Sequence, residues 1–318
     1  MTIKDAGDRT FTVRSPYGLH DEATYAGALS FLRRPYTRDL EGVDVAVTGI
    51  PFDLATTNRP GARLGPRAVR TSSAQLSWGP PWPWGFDPTK RLAIVDTGDC
   101  VLDHGRPAEI PARIERHAAD ILDAGASMLA IGGDHFITLP LLRAHAARFG
   151  PLALVHFDAH SDTWKDEDGR IDHGTMFWHA VREGIVDVTR SVQIGIRTHN
   201  EDHLGFTWLD AAWVHEHGPA ATAQETRRIV GDAKAYLTFD IDCLDPAYAP
   251  GTGTPVAGGL STYQAQSIIR ALSGIDFVGM DVVEVAPAYD VAENTALAAA
   301  SIALDYLCLM ARSRPDAI

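Results

Sequence analysis

Apolar and polar positions along the chain fall into two alternating rhythms. Val43–Ile50 (VDVAVTGI) is a short apolar run rich in valine and closed by Pro51, the pattern of a buried strand. Runs of the same kind at Arg91–Asp96, Ser127–Ile131, Leu152–Asp158, Ser191–Ile196, Tyr236–Asp240 and Phe277–Val283 predict further strands. Between them the apolar spacing turns helical. Pro107–Ala124 places Ile114, Ala118, Ile121 and Leu122 on one face. Thr138–Phe149, Thr175–Glu183, Thr222–Val230, Ser261–Leu272 and Glu293–Arg312 read as further helices, and Pro66 suits the first turn of another. Strands apolar on both faces and separated by helices predict an α/β protein, three layers α/β/α with a central, mainly parallel sheet. Residues 1–40 read as an N-terminal arm with a short helical stretch around Glu22–Leu32, and residues 41–318 as a single domain without repeats. Trp78–Pro88, with three tryptophans among prolines, reads as a loop whose aromatics pack.

Composition narrows the class. The 318 residues hold 28 Lys and Arg against 41 Asp and Glu, a net charge of −13. So acidic a chain has no excess positive field for nucleic-acid phosphates and no basic face for a membrane surface. It has no run of eighteen apolar residues, so no bilayer span is expected. Met1–Arg14 lacks the apolar segment of a signal peptide. The three cysteines, Cys100, Cys243 and Cys308, are odd in number and far apart. A reducing compartment, the cytoplasm, is the expected location.

The chemistry is expected at strand carboxyl ends, where open parallel sheets bind ligands. Four predicted strands end in polar clusters. Gly132-Gly133-Asp134-His135 follows MLAI; alone it reads as a glycine turn with a capping aspartate. His156-Phe157-Asp158-Ala159-His160-Ser161-Asp162 places ligand-type side chains at alternate positions, which share one side if the extended form persists. Two carboxylates and an imidazole beside a buried strand are costly unless a cation compensates them. His156 fits a hydrogen-bonded core histidine better than a ligand. Asp240-Ile241-Asp242 repeats the pattern after YLTF. The sum is His135, Asp158, His160, Asp162, Asp240 and Asp242, with no cysteine, a set that favours Mn²⁺ over a thiolate zinc site and suits two divalent ions better than one. Such paired ions commonly share a water activated as hydroxide. Glu284, at the end of GMDVVEVAP, is either an exposed terminal glutamate or a carboxylate that pairs with a guanidinium. His173, in DHGTMF, is either an exposed loop histidine or a proton shuttle. His117 and His145 read as ordinary surface or helix residues.

Together GGDH, DAHSD, TFDIDCLDP and DVVEVAP resemble the ureohydrolase family of arginases, agmatinases and their relatives. The similarity runs through PFDLAT, GARLGP, SVQIGIRT and DPAYAPGTGTPVAGGL, over residues 45–305, and DHGTMF and GGDHFITLP are closer to bacterial agmatinases than to arginases. The resemblance implies a three-layer α/β/α fold, assembly as trimers or hexamers, and two Mn²⁺ per chain. One ion would be held by His135, Asp158, Asp162 and Asp240, the other by Asp158, His160, Asp240 and Asp242. It implies that Glu284 orients a guanidinium, that His173 shuttles a proton, and that the substrate is a small guanidino compound. The loop Lys165–Asp172 carries Asp166 and Asp168, which would favour a cationic tail such as that of agmatine if they line the mouth. Arg59, Arg63 and Arg67 would instead suit a guanidino acid, 4-guanidinobutyrate or 3-guanidinopropionate. A zinc deacetylase on the same fold would need fewer acidic ligands, and a non-catalytic binding protein should have lost some; here the set is complete.

Overall fold

The computed structural model describes residues 24–166, 168–170 and 172–317. Eight strands form one sheet: β1 (Val45–Ile50), β2 (Ile94–Asp99), β3 (Ser127–Gly132), β4 (Ala153–Phe157), β5 (Val192–Ile194), β6 (Thr207–Leu209), β7 (Lys234–Asp240) and β8 (Asp276–Val283). Every pairing is parallel, in the order β2-β1-β3-β8-β7-β4-β5-β6. β1 and β4 are buried at every position, as strands covered on both faces must be.

One face carries α1 (Gly65–Ser73), α5 (Ala211–Val230), α6 (Thr262–Arg270) and α7 (Asn294–Ala311); the other carries α2 (Ile110–Asp123), α3 (Thr138–Phe149) and α4 (Met176–Arg182). Each face has its own apolar cluster, one around Val155, Leu237 and Ile302, the other around Ile114, Leu141 and Met128. These are the three layers expected. Sequence signals account for several helix starts. Ser261 and Gln264 form a reciprocal capping box on α6, and Asp210 accepts the Trp213 N–H to open α5.

The chain departs from the pattern reading in four places. α5 begins at Ala211 rather than Thr222, because the helix runs through Gly218-Pro219: Gly218 takes a φ of 78° and Pro219 restarts the helix after it. β2 extends to Asp99 through polar residues. Asp96 is buried there because Arg70 pairs with it, Nε to Oδ2 at 2.8 Å and Nη2 to Oδ1 at 3.0 Å. β6, three residues long, was not expected at all. Of the helical stretch expected around Glu22–Leu32, residues 22 and 23 lie outside the described residues; the rest is turns and a short 3-10 turn, Phe31–Arg33. Phe31 and Leu32 are buried in the core, and Tyr36 bridges Asp96, covering the edge of β2.

α7 is long and apolar enough to cross a membrane, with a mean hydropathy of 1.4, contrary to the expectation of no such segment, but it is largely buried against the sheet. Its Asp305 accepts Trp84 Nε1–H at 2.6 Å and Arg270 Nε–H at 2.9 Å. That bond pins the tryptophan-rich loop, in which Trp84 and Phe86 pack while Trp82 is exposed. His145 is no surface residue: it is buried against Tyr236, with its ring centroid 4.9 Å from that ring.

Candidate metal centre

The carboxyl ends of β3, β8, β7 and β4 adjoin in the middle of the sheet. Ile131 and Phe239 both flank Val282, and Phe157 flanks Phe239. Here the strand order switches: the chain leaves β3, places β4 three positions away, and later fills the gap with β7 and β8. This is where a doubly wound sheet opens a crevice, and all four polar clusters stand along it.

After β3 the backbone passes so close to Phe52 that a side chain at Gly133 would collide with the Phe52 carbonyl. Asp134 is consumed by the turn, accepting the N–H groups of Ala55 at 2.9 Å and Phe136 at 3.2 Å. His135 then projects into the crevice. Its Nδ1 lies 3.0 Å from Asp158 Oδ2, 2.9 Å from Asp162 Oδ2 and 3.3 Å from Asp240 Oδ2. None of these contacts has hydrogen-bond geometry, so the buried Nδ1 has no partner along its N–H direction. Three carboxylate oxygens thus surround one imidazole nitrogen, and the ligand atoms of His135, Asp158 and Asp162 lie within 4.8 Å of one another. A second group stands beside the first: His160 Nδ1 is 3.3 Å from Asp158 Oδ1 and 3.1 Å from Asp242 Oδ2. Asp158 therefore turns one oxygen to each group.

All six candidate ligands thus come together, but not by the route expected for residues 156–162. The strand stops at Phe157, and Asp162 adopts a φ of 52°, so strict alternation fails. A turn, closed by the His160 N–H on Asp158 Oδ1 at 2.6 Å, brings the side chains back to one place. His156 is the supporting residue expected. It is close enough to count as a ligand, yet both nitrogens are engaged, Nε2 with Asp158 Oδ2 at 2.7 Å and Nδ1 with Gln193 at 2.9 Å.

Burial and mutual repulsion make the cluster electrostatically demanding. Burial, then the Asp158 charge, pushes Asp162 up to about 7. Burial and neighbouring carboxylates likewise raise Asp240 and Asp242. For Asp158 burial acts the same way, but His156, His135 and His160 outweigh it and hold its carboxyl well below the usual range. Burial disfavours a charged His160, yet Asp242 and Asp158 lift it to about 12. The same balance raises His135. The centre of the cluster thus demands positive charge. Divalent cations answer that demand better than ring protons, and their binding frees the imidazole lone pairs. The residues fit a metal site.

Beside the cluster, neither simple alternative for Glu284 and His173 holds: both are buried. Glu284 sits at a φ of 63°, strained for a residue with a side chain. Its N–H donates to Gly133 O at 2.8 Å, and its Oε1 accepts the His135 N–H at 2.9 Å. Oε1 also meets His173 Nδ1 at 2.8 Å, while the buried Oε2 has no hydrogen-bond partner. At the other edge of the ring, His173 Nε2 meets the Thr57 hydroxyl at 2.8 Å and the Thr57 N–H at 3.1 Å. A lone pair on Nε2 accepts from the amide; a proton there is accepted by the hydroxyl. The ring is held in place in either protonation state.

Burial disfavours the imidazolium of His173, but Glu284 prevails and lifts the ring from 6.5 to about 9. A raised folded value means that the pair's stabilisation is complete below pH 6.5 and is lost as pH rises through about 9. In metal-free protein, NMR titration should find His173 near 9, and Glu284→Gln should lower that midpoint. An unchanged midpoint in the variant would remove Glu284 as the cause.

A cavity of about 430 Å³ opens over the cluster, bounded by Thr57, His160, Trp164, His173, Asp240 and Thr254 among others. Thr57, Trp164 and Thr254 carried no signal in the sequence; only their position reveals them. The expectation for Asp166 and Asp168 is corrected. Asp166 is buried and faces its own loop, accepting the N–H groups of Asp168 and Arg170 and pairing with His179 at 3.0 Å. Asp168 is exposed and does not line the cavity. From the same loop Lys165, Arg170 and Asp172 line it instead.

A parallel sheet with paired His/Asp groups at its switch point defines a protein whose central crevice could hold divalent metal. The Arginase family model matches residues 43–308, and the chain belongs to that family. Among its relatives, an agmatinase of Chromobacterium violaceum is 58% identical over 306 residues, covering 96% of this chain and 95% of that one. An agmatinase of Escherichia coli is 50% identical over 303 residues, covering 93% and 98%. Among solved structures, a hypothetical agmatinase from Burkholderia thailandensis matches with a TM-score of 0.96 and 59% identity, covering 96% of this chain and 98% of that one. Proclavaminate amidino hydrolase from Streptomyces clavuligerus matches with a TM-score of 0.88 and 39% identity, covering 92% and 100%.

Proposed function

We propose that this protein hydrolyses the guanidino group of agmatine, releasing putrescine and urea. The observation that carries the reading is the buried His173–Glu284 pair set directly beside a His/Asp cluster in which Asp158 faces two ligand groups. Relatives that bear the name agmatinase, at 50–58% identity over nearly the whole chain, support agmatine as the substrate.

Imidazole and carboxylate donors without sulfur suit manganese. In this reading His135, Asp158, Asp162 and Asp240 hold one ion, and Asp158, His160, Asp240 and Asp242 the other. When bound, the ions supply a water activated as a nucleophile near neutral pH. The protein's own groups do the rest. Glu284 Oε2 accepts from the guanidinium and fixes its carbon over the cluster. The fixed Oε1 contacts and the constrained backbone keep that carboxylate from turning away. As the C–N bond to the amine breaks, His173 gives its proton to the departing nitrogen and regains one through Thr57 or solvent. Trp164 and Thr254 wall the cavity against bulk water. A homo-oligomer, a trimer or hexamer, located in the cytoplasm completes the proposal; the three free, buried cysteines agree with a reducing compartment.

A guanidino-acid substrate is the second reading, favoured by Lys165 and Arg170 at the cavity mouth. Urea release from manganese-loaded protein separates the two. Agmatine should give the highest kcat/KM among agmatine, 4-guanidinobutyrate, 3-guanidinopropionate and arginine. A higher value for either guanidino acid overturns the substrate. No urea from any of them overturns the reaction and returns the non-catalytic reading. One metal per chain instead of two would point to the deacetylase.

A further inference from the structure

Asp281 lies three residues before Glu284 on β8, fully buried and outside the ligand set. A buried carboxylate is costly, and simple packing would be served more cheaply by an apolar side chain. Asp281 is instead surrounded by hydroxyls. Its Oδ2 accepts from Thr138 at 3.0 Å and from Tyr236 at 3.0 Å, and its Oδ1 from Thr238 at 2.5 Å. The Thr238 oxygen also lies 2.9 Å from His135 Nε2. All of these side chains are fully buried.

A threonine hydroxyl has one proton. If Thr238 gives it to Asp281, its oxygen must accept from His135, which places the ring proton on Nε2. Nδ1 then carries the lone pair, and Nδ1 is the atom that faces Asp158, Asp162 and Asp240. In the opposite arrangement Thr238 donates to Nε2, and a proton on Nδ1 blocks the metal. Burial raises the Asp281 carboxyl, the hydroxyls of Thr238, Thr138 and Tyr236 act against that rise by stabilising the ionised form, and an ionised carboxylate only accepts, which selects the first arrangement. The edge of Phe177 against the His135 ring, centroids 5.5 Å apart at 88°, keeps the ring from rotating out of this alignment.

We propose that Asp281 is a positioning residue which, through Thr238, fixes the tautomer of His135 and so sets the affinity of the metal ion that His135 holds. It is the carboxylate behind a metal-bound histidine with one hydroxyl inserted between them. The inference rests on the two-ion reading above, and the experiment separates the two.

Thr238→Val keeps the shape and removes the hydroxyl; Thr238→Ser restores it; Asp281→Asn removes the charge. Manganese binding is followed by equilibrium dialysis and by the spin-coupled electron paramagnetic resonance signal of paired ions. Thr238→Val and Asp281→Asn should each bind one ion normally and the other about 10- to 100-fold more weakly. At limiting metal, kcat should fall in step while KM for agmatine holds, and Thr238→Ser should recover both affinities. Wild-type affinity for both ions in Thr238→Val overturns the proposal, as does equal weakening in Thr238→Ser. If Asp281→Asn fails to fold by circular dichroism, the threonine pair alone decides. If the wild-type protein takes up fewer than two ions, the metal reading fails and the relay falls with it.

Discussion

Asp158→Ala is expected to bind neither manganese ion tightly and to release no measurable urea, while keeping the fold. Asp158 is the residue that turns one oxygen to each ligand group, so its loss opens both at once. The effect should exceed the roughly 10- to 100-fold penalty of losing an outer-shell partner. The protein should survive the change because the substitution also removes a like charge: Asp158 contributes to raising Asp162, Asp240 and Asp242. Elemental analysis after dialysis, a urea assay and circular dichroism together test this. One ion retained with wild-type turnover would mean that Asp158 does not join the two groups.

The second large effect is expected at His173. His173→Asn should lower kcat by about 10²- to 10⁴-fold, the range for a positioned acid or base. Metal content should hold, because His173 belongs to neither ligand group, while KM for agmatine should rise less than kcat falls, because the His135 N–H still fixes Glu284 Oε1 when the His173 contact is lost. In the wild type, kcat should decline on the alkaline side as the imidazolium is lost, with bound cations holding that midpoint below the metal-free value of about 9; in the variant that limb should vanish. A variant that loses metal in proportion to activity would instead make His173 a structural support of the cluster.

The layers, the parallel sheet and all six candidate ligands were legible because each rests on a local pattern: apolar runs, helical spacing, and acids next to strand ends. What stayed hidden depends on distant partners. Residues 156–162 suggested a straight strand; the turn at Asp162, with its positive φ, follows from packing that brings His135 opposite it. Asp166 reads as a surface acid until His179, on α4, is seen to face it. Asp281 looks like any strand residue, since the hydroxyls that give it meaning come from α3 and β7. α5 was half missed because Gly218-Pro219 is a stop signal by composition and only a kink in fact.

The strand order has a temporal consequence. β7 and β8 take the two places between β3 and β4 and are the last strands in chain order. A chain emerging from synthesis holds His135 and Asp158 long before the strands that seat them side by side exist. Pairings between such remote segments close late. Assembly of the candidate centre is therefore tied to completion of the sheet, because an unfinished chain lacks Asp240 and Asp242. The ordering makes an assembled centre a report that the sheet has closed between β3 and β4.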